Sequence, residues 1–315
     1  MQLSRRRFLA ASAASFGFGI GMAGSGQLSA RTPAVEPSKK LDLGPIQLYL
    51  IHDGNMVIPP QMAARDRSLE ELKPLLEGRL LPDGMAWQPV NVAVLQTESD
   101  LIVIDVGAGP NFMEGLGKLT ENMEKAGLDP DAVSKVVFTH AHPDHLWGAL
   151  DEFEDGPRFP NAEHLMAEAE LDFWRAEDTV NKLPAERQSM AVGARRNILK
   201  LDDRLKTFKP GTEPVKGLLA VDTAGHTEGH VSFEVTTDEG PLLILGDSII
   251  SPTISFAHPD WQPGGDHLPE AAAATRKRLL DRMANDRARF VGYHLHSARL
   301  ARTERAGNAY RLAPI

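Results

Sequence analysis

The sequence predicts an α+β protein, a sandwich of two β-layers flanked by helices. Two observations lead there. The expected elements run in the order strands, helix, strand, helices, strands, helix, strand, which suits two sheets packed face to face with helices outside them. The chain has 315 residues, 42% hydrophobic and 24% charged, which is ample for a substantial core and ordinary for a globular protein.

At the N-terminus, Ser4-Arg5-Arg6-Arg7-Phe8-Leu9 precedes a weakly apolar, Ala- and Gly-rich stretch from Ala10 to about Ala23. A charged segment followed by a short apolar one is the order of a targeting peptide. The paired arginines followed by Phe-Leu resemble a bacterial twin-arginine signal. Residues 1–30 are therefore expected to engage the twin-arginine export machinery, leaving the protein periplasmic or otherwise exported. The glycines between Gly17 and Gly26 and the short apolar run argue against a permanent membrane span. Ala30 and Ala34 both offer a small residue for cleavage. Loss of residues 1–30 removes three arginines and no acids, so the net charge moves from −9 to −12. An acidic surface repels phosphate backbones, and nucleic acid is not an expected partner.

Residues 31–43 read as a Pro- and Lys-containing linker, and 44–315 as one folded domain. Pro45 to Asp53 gives the first strand, with Ile46, Leu48 and Leu50 alternating. Ser68-Leu69-Glu70-Glu71 is a capping box that opens a short helix running to about Leu76. Val90 to Gln96 and Leu101 to Val106 form a hairpin turned at Glu98-Ser99-Asp100. Leu116, Leu119, Met123 and Ala126 recur at helical spacing and stop at Gly127. Residues 161–203 are polar and mostly helical, read as two helices broken at Pro184 that form a lid or pocket wall. Within them, Phe173 and Trp174 suit either an aromatic wall or core packing. Strands follow at about 218–222, 231–237 and 242–246, then a helix from Pro269 to about Asn285 and a last strand from Phe290 to His294.

The chemistry is concentrated at strand ends. Lys135-Val136-Val137-Phe138-Thr139 is a short apolar run, and His140-Ala141-His142-Pro143-Asp144-His145 follows it directly. Side-chain direction repeats every two residues in extended backbone, so His140 and His142 point to one side. Asp144 and His145 can then turn toward a second point nearby, and one loop can serve two metal ions. Three further apolar runs end in the same way, at His226, at Asp247 and at His294. Donors on strand ends are held more rigidly than donors on free loops, as a metal site requires. The chain has no cysteine, which removes thiol nucleophiles, Cys-ligated zinc and disulfides together. Imidazole and carboxylate donors without sulfur suit zinc, manganese or iron.

The His-x-His-x-Asp-His run at His140 to His145, Gly-His-Thr-x-Gly-His at Gly225 to His230, Gly246-Asp247 and the late His294 resemble the metallo-β-lactamase superfamily. Ile104-Asp105-Val106-Gly107 resembles the Asp-x-Gly that precedes the metal motif there. The stretch from Ser255 to Pro263, then Ala273 to Arg276 and Gly292-Tyr293-His294, look like the exported hydrolases related to methyl parathion hydrolase. The resemblance implies an αββα fold with two mixed sheets. It implies two divalent metal ions, with Zn2+ expected first. His140, His142 and His226 would hold one, Asp144, His145 and His294 the other, and Asp247 would bridge them. A metal-bridging hydroxide would then attack a small-molecule ester, lactone or phosphotriester, and Asp144 would orient the nucleophile and relay a proton. Two carboxylates against two divalent ions leave the site electrophilic despite the acidic exterior.

Two departures bear on substrate. Lactone-cleaving relatives often carry Tyr three residues after the bridging Asp, where this chain has Ile250. The subgroup continues past the last ligand with a Pro- and Gly-rich loop, where this chain reads Leu295-His296-Ser297-Ala298-Arg299. His296 competes with His294 as a ligand, and His294 is preferred because it follows Gly292-Tyr293 at the strand end. His230 is expected to support the site rather than to ligate, and Asp105 to be either a turn cap or a partner of a metal-binding His. The alternative functions are β-lactam hydrolysis and a mononuclear-iron oxidoreductase of the same fold. The sequence leaves the oligomeric state open, a dimer included.

Overall fold

A computed structural model describes residues 32–315 except 77, 152–155 and 296–299. The expected signal segment and His296 lie outside the described residues.

Two mixed sheets carry the fold. The first runs in spatial order β1 (Ser38–Asp42), β2 (Gln47–Ile58), β3 (Ala86–Gln96), β4 (Leu101–Ile104), β5 (Lys135–Val137), β8 (Glu163–Ala167) and β9 (Leu205–Phe208). The short pair β6 (Leu150–Asp151) and β7 (Gly156–Pro157) stands apart from it. β1 to β4 are antiparallel neighbours, and from β4 onward the pairings are parallel. The second sheet runs β10 (Leu218–Asp222), β11 (Val231–Thr237), β12 (Gly240–Ile244), β13 (Arg289–Val291), β14 (Ala301–Ala306) and β15 (Ala309–Pro314), with only β12–β13 parallel.

Strand periodicity explains the layering. On β2, Leu48 and Leu50 face the second sheet while Tyr49 and Ile51 face outward to helices. On β12, Leu242 and Ile244 meet the first sheet while Leu243 packs outward. The inter-sheet core joins Leu48, Leu95, Ile104 and Val137 to Phe233, Leu242 and Val291. Outside the first sheet, Val92, Val103 and Phe138 pack on the helices Leu119–Lys125, Glu168–Arg175 and Gln188–Leu201 through Met123, Leu171, Trp174 and Ile198. Outside the second sheet, Phe290 and Leu243 pack on the helix Pro269–Asp286 through Leu279, Leu280 and Met283. The result is helix, sheet, sheet, helix.

Local signals are realised with some changes of extent. Ser68 and Glu71 form the reciprocal capping box, but the helix they open is one turn, Leu69–Leu72, continued as a 3-10 turn. The stretch expected to be a linker contains β1, which pairs along its length with β2. Residues 161–203 begin with β8 rather than helix, and Pro184 does stand before the turn that leads into Gln188–Leu201. The chain does not end its strands at His294, because β14 and β15 close the second sheet as a hairpin.

One irregularity positions the site. The β2–β3 register shifts between His52 and Gly54, and the bulge turns Asp53 inward. Its carboxylate accepts from the backbone N–H groups of Ala108, Gly117 and Leu119, which ties down the loop between β4 and the next helix. Gly54 sits at φ +138°, where a Cβ would lie 2.1 Å from the Gly115 carbonyl oxygen, so the position admits only glycine.

Phe233 is fully buried between the sheets. Phe233→Ala is expected to cost about 3–5 kcal/mol of unfolding free energy, read from the denaturant midpoint; a loss under about 1 kcal/mol would show that this face is not the core.

Candidate metal centre

The site lies where the ends of both sheets meet. β5 runs out into Thr139-His140-Ala141-His142, and His142, in extended backbone, caps the one-turn helix Pro143–Leu146. Pro143 at its first position presets the helical φ. Asp144 and His145 ride on that turn. From the second sheet, the loop after β10 delivers His226, the turn after β12 delivers Asp247, and the turn after β13 delivers His294. All seven side chains are buried or nearly so.

The seven converge. His142 Nδ1 lies 3.0 Å from His140 Nε2 and 2.9 Å from His226 Nε2. His294 Nε2 lies 3.2 Å from both Asp144 Oδ2 and Asp247 Oδ2. His145 Nε2 lies 3.5 Å from Asp144 Oδ2 and 3.3 Å from Asp247 Oδ1. Asp247 also reaches the first group, with Oδ2 3.4 Å from His226 Nε2. Its carboxylate therefore sits between a three-histidine group and an Asp-His-His group.

Hydrogen-bond partners fix the ring protons. The Thr139 hydroxyl donates to Asp105 Oδ2, so it accepts from His140 Nδ1–H. His226 Nδ1–H donates to Asp266 Oδ1, His145 Nδ1–H to Asp105 Oδ2, and His294 Nδ1–H to the Pro89 carbonyl. On His140 and His226 the opposite nitrogen is then a bare lone pair aimed into the centre, while on His145 and His294 it faces the Asp144 and Asp247 carboxylates. Lone pairs on His140, His142 and His226 face one another at 2.9–3.0 Å, a contact that repels unless a cation lies among them. Asp144 Oδ2, His145 Nε2 and Asp247 Oδ1 are buried without a hydrogen-bond partner. Buried polar atoms are almost always satisfied, so this donor set fits two divalent cations.

Electrostatics agree. Burial lowers His140 and His142 well below the usual imidazole range, and the neighbouring imidazoles add to it. Burial opposes charge on His294 as well, but Asp247 and Asp144 outweigh it and raise that ring to about 10. His145 is raised in the same way by Asp247, Asp144 and Asp105. Asp247 is held well below the usual carboxylate range: burial pushes it up, and His294 and His145 more than offset that. Positive charge is what this pocket is built to receive.

Glu170, Asp266 and Tyr293 brace the site without having been legible as supports, whereas His230 supports it as expected and Asp105 takes the second of its two expected roles, as partner of His145. Glu170 is fully buried, and burial pushes its carboxyl up against the pull of four donors. Oε1 accepts from Ala141 N and Trp174 Nε1; Oε2 accepts from Thr227 Oγ1 and Gly229 N. One carboxylate thus joins the His140 loop to the His226 loop. Trp174 is core, its ring centroid 5.8 Å from that of His142 in a T-shaped contact. Asp266 orients His226 and is itself held by Arg276 at 3.0 Å. His230 accepts from the Asp247 backbone N–H at 3.0 Å, which sets the turn carrying that carboxylate. Tyr293 stacks on His145 at 3.9 Å and donates to the Asp144 carbonyl. Asp105, at φ 62°, holds an uncommon left-handed conformation that lets it serve both Thr139 and His145. His267, outside the seven donors, also contacts the centre, with Nε2 3.1 Å from His142 Nε2.

A cavity of about 250 Å³ opens over the donor cluster and is lined by five of the seven, His142, Asp144, His226, Asp247 and His294. Its walls are mainly apolar: Met56, Ile58, Met62, Phe112, Met113, Met190 and Ile250. Apart from the seven, Gln88 and Arg187 are the polar side chains on it, and the Arg187 guanidinium is tied to the backbone carbonyls of Gly264 and Asp266. The segment 161–203 contributes Arg187 and Met190 to this wall. Glu170→Ala would strand buried donors on both metal loops; it is expected to lower stability by about 2–5 kcal/mol and to reduce bound metal, measured by thermal melting and elemental analysis of the same sample.

The metallo-beta-lactamase superfamily model matches residues 85–294. The uncharacterised protein YobT of Bacillus subtilis is 28% identical over 177 residues, covering 54% of this chain and 70% of its own. The N-acyl homoserine lactonase AttM of Azorhizobium caulinodans is 33% identical over 130 residues, 39% of this chain and 43% of its own. Two solved structures align closely. AidC, described as a dizinc quorum-quenching lactonase in complex with a product, N-hexanoyl-L-homoserine, superposes with TM-score 0.81 at 26% identity over 89% of this chain and 99% of its own. The hydrolase AbOPH gives TM-score 0.82 at 27% identity over 90% and 99%. With the matched model spanning the whole donor set, this chain belongs to the metallo-β-lactamase superfamily and is a metal-dependent hydrolase.

Proposed function

We propose that the chain hydrolyses small neutral esters and lactones bearing an apolar group, using two divalent metal ions, with Zn2+ expected first. The observation that carries this is the convergence of seven donors, with bare lone pairs inward, beneath an apolar cavity. The lactonases AidC and AttM support the reaction class. His140, His142 and His226 would hold one ion, Asp144, His145 and His294 the other, and Asp247 lies within reach of both. Such a pair, when bound, lowers the pKa of a shared water toward neutrality and polarises the substrate oxygen.

The chain's own residues do the rest. The methionine- and Phe112-lined wall binds the apolar part of the substrate and excludes water from the reacting end. Asp144 borders the cavity, so its carboxylate is placed to take a proton from the attacking water and pass it to the leaving oxygen. Asp105, Asp266 and Thr139 hold the donor rings so that geometry is set before substrate arrives. The Asp-His-His group weighs against a mononuclear-iron oxidoreductase. Ile250 on the cavity wall, in place of a carbonyl-contacting Tyr, favours a second reading: aryl esters and phosphotriesters, which present a neutral apolar face to the same wall.

Protein of known metal content is expected to turn over lactones or aryl esters. Chelation should abolish the activity and Zn2+ restore it. His142→Ala and Asp247→Ala should lower kcat/KM by roughly 10³-fold or more with the circular dichroism melt still cooperative. Wild-type turnover by either metal-loaded variant, or no turnover across lactones, esters, β-lactams and phosphotriesters, would refute the reading. No described helix is long and apolar enough to cross a membrane. We further propose export through Arg5-Arg6-Arg7-Phe8-Leu9. Deleting residues 2–30 should leave purified activity unchanged and move the protein to the cytoplasmic fraction; a wild-type protein confined to the cytoplasm would overturn the export proposal.

A further inference from the structure

His267 belongs neither to the seven donors nor to the cavity wall, yet its side chain is almost completely buried beside them. Its side chain is 3% exposed and its ring is packed against Phe173 and Trp174. Its backbone N–H donates to the His226 carbonyl, which fixes its height above the centre. On one side, Nε2 lies 3.1 Å from His142 Nε2; on the other, Nδ1 lies 3.0 Å from Glu228 Oε2.

Proton accounting gives this chain of contacts a direction. His142 turns Nδ1 toward His140 and His226, so as a neutral ligand it carries its proton on Nε2. That Nε2–H needs an acceptor, and the atom facing it is His267 Nε2. His267 must then leave Nε2 bare and carry its own proton on Nδ1. Glu228, an acceptor when ionised, is the group positioned to receive it. The opposite arrangement would put the proton of His142 on Nδ1 and remove that nitrogen from the centre. His142 is also the histidine among the five whose outer nitrogen meets a partner able either to donate or to accept in its own right. The others meet a carboxylate, a backbone carbonyl or a hydroxyl already committed to donating elsewhere.

Resting on the metal-centre reading above, we propose that His267 and Glu228 are a positioning pair that locks His142 in its ligating tautomer and so sets the metal affinity of the three-histidine half alone. His267 touches no reacting atom; it acts through His142.

The test uses the purified full-length domain, stripped of metal and titrated with Zn2+ against a chromophoric chelator so that two affinities are resolved. His267→Phe keeps the packing and removes the acceptor. It is expected to weaken one of the two ions by about 10–100-fold and to leave the other within about 3-fold. His267→Gln, whose amide oxygen can accept from His142, is expected to recover part of the loss. Glu228→Gln keeps an acceptor without its charge and should show a smaller loss at the same ion. Two wild-type affinities in His267→Phe overturn the proposal and leave the hydrolase reading standing. Equal weakening of both ions in His267→Phe and His267→Gln alike also overturns it, because that marks general loosening. A wild-type chain that takes up no Zn2+ overturns both readings. Should His267→Phe fail to fold, the half-buried Glu228 carries the test through Glu228→Gln and Glu228→Ala, with unchanged affinity in both as the negative result.

Discussion

Three imidazole lone pairs meet at hydrogen-bonding distance with no proton to share, and that repulsion is the constraint around which the molecule is organised. Like faces are brought together only where something positive is meant to lie between them. Two carboxylates complete the pocket, and Asp247 faces both groups. The acidic sequence and the electrophilic centre are compatible because the buried charges are local and low in dielectric, whereas the exterior charges are solvated.

Holding such an arrangement takes a second set of groups. Asp53, Asp105, Glu170 and Asp266 are buried carboxylates outside the seven donors, and each receives two or more hydrogen bonds, at least one of them from a segment distant in sequence. They convert loops into rigid supports. The same logic explains why the donors sit at strand ends from both sheets: neither sheet alone could present both groups, and the inter-sheet core fixes their separation.

The donors were legible because each is local to a short apolar run, and strand periodicity says which way a side chain points. The first sheet was foreshadowed by alternating residues such as Leu48 and Leu50, and the second by short apolar runs such as Leu242 to Leu245. What escaped had no local signature. β1 is a polar edge strand, Ser38-Lys39-Lys40, readable only through its pairing with β2. β8 places His164 and Met166 inside a polar stretch whose neighbours are helical. In β14, Arg302 and Glu304 face solvent while Ala301 and Thr303 are buried, a half-exposed strand easily passed over after the last expected ligand. Glu170, Asp266 and His267 depend on partners 29 to 125 residues away, and nothing in one sequence states such contacts.

Four thioethers line the entrance, from β2, from the 3-10 turn Pro60–Met62, from the loop before Leu116 and from the helix Gln188–Leu201. Thioether chains are pliable and fill irregular gaps. None belongs to the donor set or to the carboxylates that brace it. The contour of the opening and the ionic core beneath it are therefore set by different residues. A single wall residue can be exchanged, changing which molecules fit, while every donor and every brace keeps its place.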